Sequence, residues 1–157
     1  MEPIQFYRPK LEELAFRQKL LGDPETMAYN HAYGGVIPFP RERWADWYAR
    51  WVAEGDGARF YRYLRDAETM EWVGEASYHY DEAFQAFLCD ILIAAPCRGR
   101  GYGSAGLRLL CGAAKANGVR ELRDNIAVDN PALGLFERAG FAEAGRTDEY
   151  ILVAKAL

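Results

Sequence analysis

The run Arg98-Gly99-Arg100-Gly101-Tyr102-Gly103-Ser104 has the residue types and spacing of an anion cradle. Glycines at alternate positions let successive main-chain N–H groups point at one concave spot with no Cβ in the way. Ahead of the run, Ile91-Leu92-Ile93-Ala94-Ala95-Pro96-Cys97 reads as an apolar strand. Behind it, Leu107, Leu110 and Cys111 share one helical face. A helix N-terminus adds partial positive charge and the two arginines add full charges, so the turn suits a pyrophosphate. A plain glycine-rich strand-to-helix connection with exposed arginines has the same composition. A P-loop would end in Gly-Lys-Ser or Gly-Lys-Thr, and neither is present. A dinucleotide fingerprint would sit early in a parallel βαβ unit; here the strands before it read as a meander.

Glu75, Ser77 and His79 alternate onto one face of an expected strand, opposite Ala76 and Tyr78. Glu75 and His79 are the ionisable pair on that face, which a solvent-facing strand would equally carry. Tyr29, Asn30, His31 and Tyr33, just before Gly34-Gly35, form a polar-aromatic loop suited to closing over a ligand.

The elements that must position these residues follow from periodicity. Ile4 to Tyr7 reads as an opening strand. Leu11, Leu14, Gln18 and Leu21 mark a helix ending near Gly22, and Asp23-Pro24 signals a second, short one. Trp44, Trp47, Tyr48, Trp51 and Val52 make a wide apolar stripe on a helix from Arg41 to Glu54, closed by Gly55. Core packing accounts for those tryptophans better than a ligand box. Arg59 to Arg65, Glu71 to Tyr80 and Phe84 to Ile93 read as an antiparallel meander. A helix from Gly101 to Asn117, a strand from Val119 to Val128, a helix capped at Asn130-Pro131 and ending at Gly140, and two strands flanking Arg146-Thr147-Asp148 complete one mixed α/β domain.

Bulk properties narrow the function. The formal charge is -4 and basic residues are scattered, which argues against nucleic acid. No stretch approaches the roughly 20 apolar residues of a membrane span, and the N-terminus lacks a signal-peptide core, so a cytoplasmic protein is expected. Cys89, Cys97 and Cys111 show no CxxC spacing and read as buried small hydrophobes. With His31 and His79 as the only imidazoles, no metal site is expected.

Two blocks carry a family resemblance. Arg98, Gly101 and Gly103 satisfy the signature Q/R-x-x-G-x-G/A. The segment Ile126-Ala127-Val128-Asp129-Asn130-Pro131-Ala132, followed by Leu135 to Phe141, matches a strand, an Asn-capped helix and a Gly-Phe ending. The chain resembles the GCN5-related N-acetyltransferase (GNAT) superfamily, firmly over residues 71 to 157. Residues 1 to 70 are compatible with that family's variable substrate-side helices and first strands.

The resemblance implies an α/β (α+β) fold with a central, mostly antiparallel sheet of six to seven strands flanked by helices. It implies acetyl-CoA as cofactor, with the pyrophosphate on the N–H groups of Arg98 to Ser104, and pantetheine along the main chain of Ile91 and Ile93. Asn130 would contact the pantetheine arm, cap its helix, or both. The activity implied is acetyl transfer to a primary amine (a small amine, a polyamine or a peptide N-terminus) by direct attack in a ternary complex. A non-catalytic acyl-CoA sensor is the alternative. For the proton-accepting base, His79 is preferred over Glu75 because imidazole titrates nearer neutrality; Asp90 is a third candidate whose strand parity depends on a bulge common in the family. An N–H near Ile93 would serve the oxyanion. Phe136 stands where the family often has a tyrosine acid, leaving Tyr150 as a replacement or the thiolate to leave unaided. Tyr29, Asn30, His31, Tyr33, Tyr78 and Tyr80 would meet an amine substrate, and the tryptophan helix would face the core or the partner of a homodimer.

Overall fold

The computed structural model describes residues 2–54 and 57–157. The seven-stranded sheet is built from β1 (Ile4–Tyr7), β2 (Arg59–Asp66), β3 (Trp72–Asp81), β4 (Ala86–Ile93), β5 (Glu121–Ala127), β6 (Ala142–Arg146) and β7 (Tyr150–Ala156). Its order is β1-β2-β3-β4-β5-β7-β6. Every described pairing is antiparallel except β4 with β5. The helices are α1 (Ala15–Gly22), α2 (Trp44–Tyr48), α3 (Tyr102–Ala116) and α4 (Leu133–Arg138).

Alternation along the strands gives the sheet two apolar faces, each with its own cover. On one, Ala76, Tyr78, Cys89 and Ile93 pack against Ala105, Leu107, Leu110 and Ala114 of α3. Gly106 permits that approach: a Cβ there would lie 2.6 Å from Ile91 Cδ1. On the other, Tyr61, Tyr63 and Leu92 pack against Leu14, Leu21, Phe39, Trp44 and Trp47. Burying side chains of this size contributes roughly 2 kcal/mol each before entropy is counted.

Three local expectations change. The first helix opens with a 3-10 turn, Leu11–Leu14, whose three-residue period shifts the buried face. Leu14, Leu20 and Leu21 are buried, and Leu11 and Gln18 are exposed. Asp23-Pro24 starts a turn rather than a helix: the Asp23 carboxylate accepts from both the N–H and the hydroxyl of Thr26, and a short 3-10 segment, Ala28–Tyr33, follows. The tryptophan segment is not one regular α-helix. It passes from 3-10 to α to a π turn over Ala49–Ala53, so Trp47 is buried while Trp51 is half-buried. Gly55, the expected stop, lies outside the described residues.

The parallel pairing positions the site. It joins Phe87 and Leu88 to Leu122 and Arg123, and beyond those residues β4 and β5 diverge. A cleft of about 530 Å³ occupies the opening, lined by residues of both strands, the 98–104 loop, the 29–33 segment and α4.

Candidate active site

One side of the cleft is lined by the glycine-rich loop and the start of α3. Gly99 and Gly101 sit at φ +80° and +82°, in the left-handed region that favours glycine. They turn the chain so that α3 begins at Tyr102 with its N-terminus toward the cleft, lined there by Gly101, Tyr102, Gly103 and Ser104. Tyr102 is tied down by a hydrogen bond from its hydroxyl to Asp66, whose carboxyl is held down at about 2 chiefly by that bond. The Arg98 side chain donates to the carbonyls of Ile93 and Thr26. It braces the loop, and its own N–H donates to Ala95 O at 3.2 Å, so the expected contact of Arg98 N–H with a pyrophosphate is not available here. Arg138, at the end of α4, is a cleft-lining cation that motif reading missed.

Strand register decides which main-chain groups face the gap. Ala94 N–H donates to Val73 O, so Gly74 and Ile93 form a wide, non-hydrogen-bonded pair and the N–H and C=O of Ile93 point away from β3. The same alternation turns Ile91 outward. On the far edge, Val128 N–H donates to Glu149 O, which turns the main chain of Asn125 and Ala127 away from β7 and toward the gap. Two divergent strand edges thus face each other, each able to pair with an extended ligand.

The other side carries ionisable side chains. Pairing of β3 with β4 runs without a break from Asp81↔Ala86 to Gly74↔Ile93; the expected bulge is absent, and register shifts occur instead at Leu64/Arg65 and Glu143/Gly145. The parity of Asp90 follows: it opposes Ser77 and shares the face of Glu75 and His79. Asp90 lines the cleft. Enclosure by protein pushes its carboxyl up to about 6, and the negative charge of Glu75 adds to this; Arg17 and the N–H of Ile91 oppose. The cleft-facing side of Asp90 is open to solvent, which screens part of this push. Asp124, across the gap, also lines the cleft. Its carboxylate accepts from the N–H of Asn125 at 2.8 Å, and burial, then Asp90, push it well above the usual carboxylate range. Asp124 was missed at the level of sequence; the one available signal was an acidic residue among the inward positions Leu122 and Ile126.

The other anticipated residues divide. Ile91, Ile93, Arg98, Gly99, Gly101, Tyr102, Gly103, Ser104, Asn130 and Phe136 line the cleft, as do Tyr29, Asn30 and Tyr33. Arg100 is exposed beside it. Asn130 Oδ1 accepts from Ala132 N–H at 2.9 Å, a capping bond. Phe136 is buried edge-on to Phe141, with no polar atom to offer. His31 meets Asp129 at 2.8 Å, joining the 28–33 segment to the loop before α4.

Tyr78 departs from its expected role. It is fully buried on the α3 face, stacked on Phe60, with its hydroxyl accepting from Asn117. Tyr80 shares that parity and packs on Phe87. His79 stands at the far end of its strand face, edge-on to Trp51 at 5.6 Å, and burial pushes its imidazole down despite Asp81. Glu75 is buried beside Arg17 rather than facing the cleft. Tyr150 begins β7 opposite Ala127 and is not among the cleft residues. Strand alternation predicts which residues share a face, but not where along the strand the cleft opens.

A family model described as an acetyltransferase (GNAT) domain matches residues 5–142. The chain belongs to the GNAT acetyltransferase family. Solved structures share its fold. Spermidine N-acetyltransferase from Vibrio cholerae, in complex with CoA and spermine, is 18% identical with a TM-score of 0.79, covering 99% of this chain and 96% of that one. An N-acetyltransferase from Staphylococcus aureus Mu50 is 20% identical, TM-score 0.77, with 98% of each chain covered. Ribosomal-protein-alanine N-acetyltransferase from Brucella melitensis is 20% identical, TM-score 0.75, covering 98% and 99%. No curated protein matches significantly in sequence. The acetyltransferase takes acetyl-CoA as cofactor, and the cleft fits it: left-handed glycines, a helix N-terminus and two outward-facing strand edges. Among the described residues no helix is long and apolar enough to cross a membrane.

Proposed function

We propose that this acetyltransferase acetylates a cationic primary amine by direct attack within a ternary complex, with Asp90 accepting the amine's proton. The observation that carries this reading is the pair of carboxylates, Asp90 and Asp124, facing one cleft from opposite strands. They sit beside the aromatic Tyr29 and Tyr33, and carboxylates with aromatic faces attract ammonium groups. Residues 71–157 supply the cofactor side, and residues 1–70 contribute the acceptor rim through Tyr29, Asn30 and Tyr33.

A protonated amine has no lone pair for attack, so a group in the cleft must take its proton. A carboxylate near 6 is ionised at neutral pH yet a far better base than an ordinary aspartate, which supports Asp90 over His79 and Glu75. When bound, acetyl-CoA supplies an electrophilic thioester carbonyl. The Ile93 N–H, turned away from β3, is the main-chain donor available to its oxygen as charge develops there. Phe136 donates nothing, and a thiol with pKa of about 8.5 can depart as thiolate.

The test is incubation with acetyl-CoA and a panel of polyamines, aminoglycosides, amino acids and peptides, read by mass spectrometry. Acetylated cationic amines are the expected product. Thiol release at the protein-free rate across the whole panel would favour a non-catalytic acyl-CoA sensor instead.

A further inference from the structure

Behind Asp90 lies an ion pair that the reading above leaves without a task. Arg17, on α1, sends its guanidinium between the rings of Trp47 at 4.4 Å, Phe39 at 4.8 Å and Tyr61 at 5.5 Å. Among the described residues its ionic partner is Glu75, with Nη1 to Oε1 at 3.5 Å. Both side chains are largely out of water, at 16% and 7% exposure. Nε and Nη1 of Arg17, Oε1 of Glu75 and the Tyr61 hydroxyl are all buried without a hydrogen bond of good geometry. A buried pair so loosely satisfied is poor for stability, because desolvation outweighs attraction unless the geometry is excellent.

The location of the pair is more telling than its strength. Glu75 opposes Leu92 on β4, two residues from Asp90 along the same strand face. Glu75 and Asp90 are therefore diagonal cross-strand neighbours, separated by roughly 7 Å. A guanidinium cannot lose its proton; burial pushes the Glu75 carboxyl up, and the Arg17 charge at 3.5 Å opposes that push and favours the ionised form. The aromatic walls keep water from the pair itself, so its charges reach Asp90 through protein on that side, while the solvent-open side of Asp90 screens part of their effect. The groups facing Asp90 are Glu75 on β3, Arg17 on α1, Asp124 on β5 and the Tyr29 hydroxyl from the 28–33 segment. Among these Arg17 is the one cation, and Glu75 is the anion that cancels it.

We propose that Arg17 and Glu75 are positioning residues: a buried, electrically neutral pair that cancels the guanidinium's pull on Asp90 and so preserves that carboxylate as a base. Glu75 thereby acts through Asp90 and never meets the amine. The task of Glu75 rests on the proposed role of Asp90, but the charge coupling itself can be measured without turnover.

The test is a carboxyl 13C NMR titration of Asp90 in the full chain, its resonance identified by its loss in Asp90→Asn. Glu75→Gln leaves a lone cation behind Asp90 and is expected to lower the Asp90 midpoint by about one pH unit. Glu75→Gln combined with Arg17→Met removes both charges. It is expected to return the midpoint to within about 0.3 unit of the original, since cancelling charges restore what structural damage would only compound. A midpoint unmoved by Glu75→Gln, or displaced further by the double variant, overturns the inference. If Glu75→Gln does not fold, the double variant, which replaces a buried pair by neutral groups, still must titrate like the parent. Arg17→Lys, which keeps the charge, must do so as well. Turnover by Asp90→Asn would refute Asp90 as base and leave the coupling measurement standing, so the two failures can be told apart.

Discussion

The two walls of the cleft are built from different materials. The wall formed by Gly99 to Ser104 and the outer edges of β4 and β5 is a main-chain surface, with glycine conformation and strand register fixing its direction. The opposite wall offers carboxylates, and what these can do depends on neighbours brought from α1, β3 and β5. Main-chain donors keep the same chemistry in any surroundings, so that wall is rigid in function. A carboxylate changes character with each charge and each water molecule removed. On the proposed assignment, the main-chain wall suits a constant cofactor, and the carboxylate wall can be retuned for the acceptor without disturbing it.

The sharpest way to break this comparison is Asp90→Asn. Loss of the base is expected to lower kcat/KM by about 10²- to 10⁴-fold while the acetyl-CoA dissociation constant, measured calorimetrically, stays within about twofold. Loss of acetyl-CoA affinity instead would mean that the two walls are not separable. The reciprocal change is Gly101→Val, a β-branched residue at φ +82°. Strain of about 1–3 kcal/mol is expected to weaken acetyl-CoA binding by roughly 5- to 150-fold, with the Asp90 midpoint unmoved.

A smaller effect separates the walls by pH. Asp90 in the folded protein titrates near 6, above its unfolded value. The stability linked to its proton is present in full below the unfolded value and is lost as pH rises through about 6. Melting temperature is therefore expected to fall between pH 5 and pH 7, and Asp90→Asn should flatten that slope. An unchanged slope in the variant would mean that Asp90 titrates alike in both states. The smallest expected effect belongs to His79→Ala. Its ring packs on Trp51 away from the cleft, so kcat/KM should stay within about threefold. A hundredfold loss would restore the imidazole as the base.

Legibility followed the same division. Residues 98–104 could be read in sequence because positive-φ positions select glycine whatever surrounds them, and Gly99 and Gly101 occupy such positions. The order of strands and of the two later helices was legible from periodicity and stop signals such as Gly118, at φ +86°. The phase of the first helix was not, because the 3-10 turn over Leu11–Leu14 is a local adjustment to packing. His79 and Glu75 were matched correctly to one face, yet only β4–β5 divergence after Leu88 decides that Asp90 reaches the cleft. Tyr78 shows the same limit: alternation set it opposite Glu75, and the cover of α3 made that face core.

By itself the sequence determined the glycine-rich loop and the mixed sheet, since each is written in local backbone preference or hydrophobic period. Acetyl-CoA was implied by the resemblance of two motif blocks to the GNAT superfamily. Tertiary structure alone decided which carboxylate faces the amine, which is buried against Arg17, and how readily each holds a proton. Those properties depend on desolvation and on charges from segments far apart in the chain, and no local pattern encodes either.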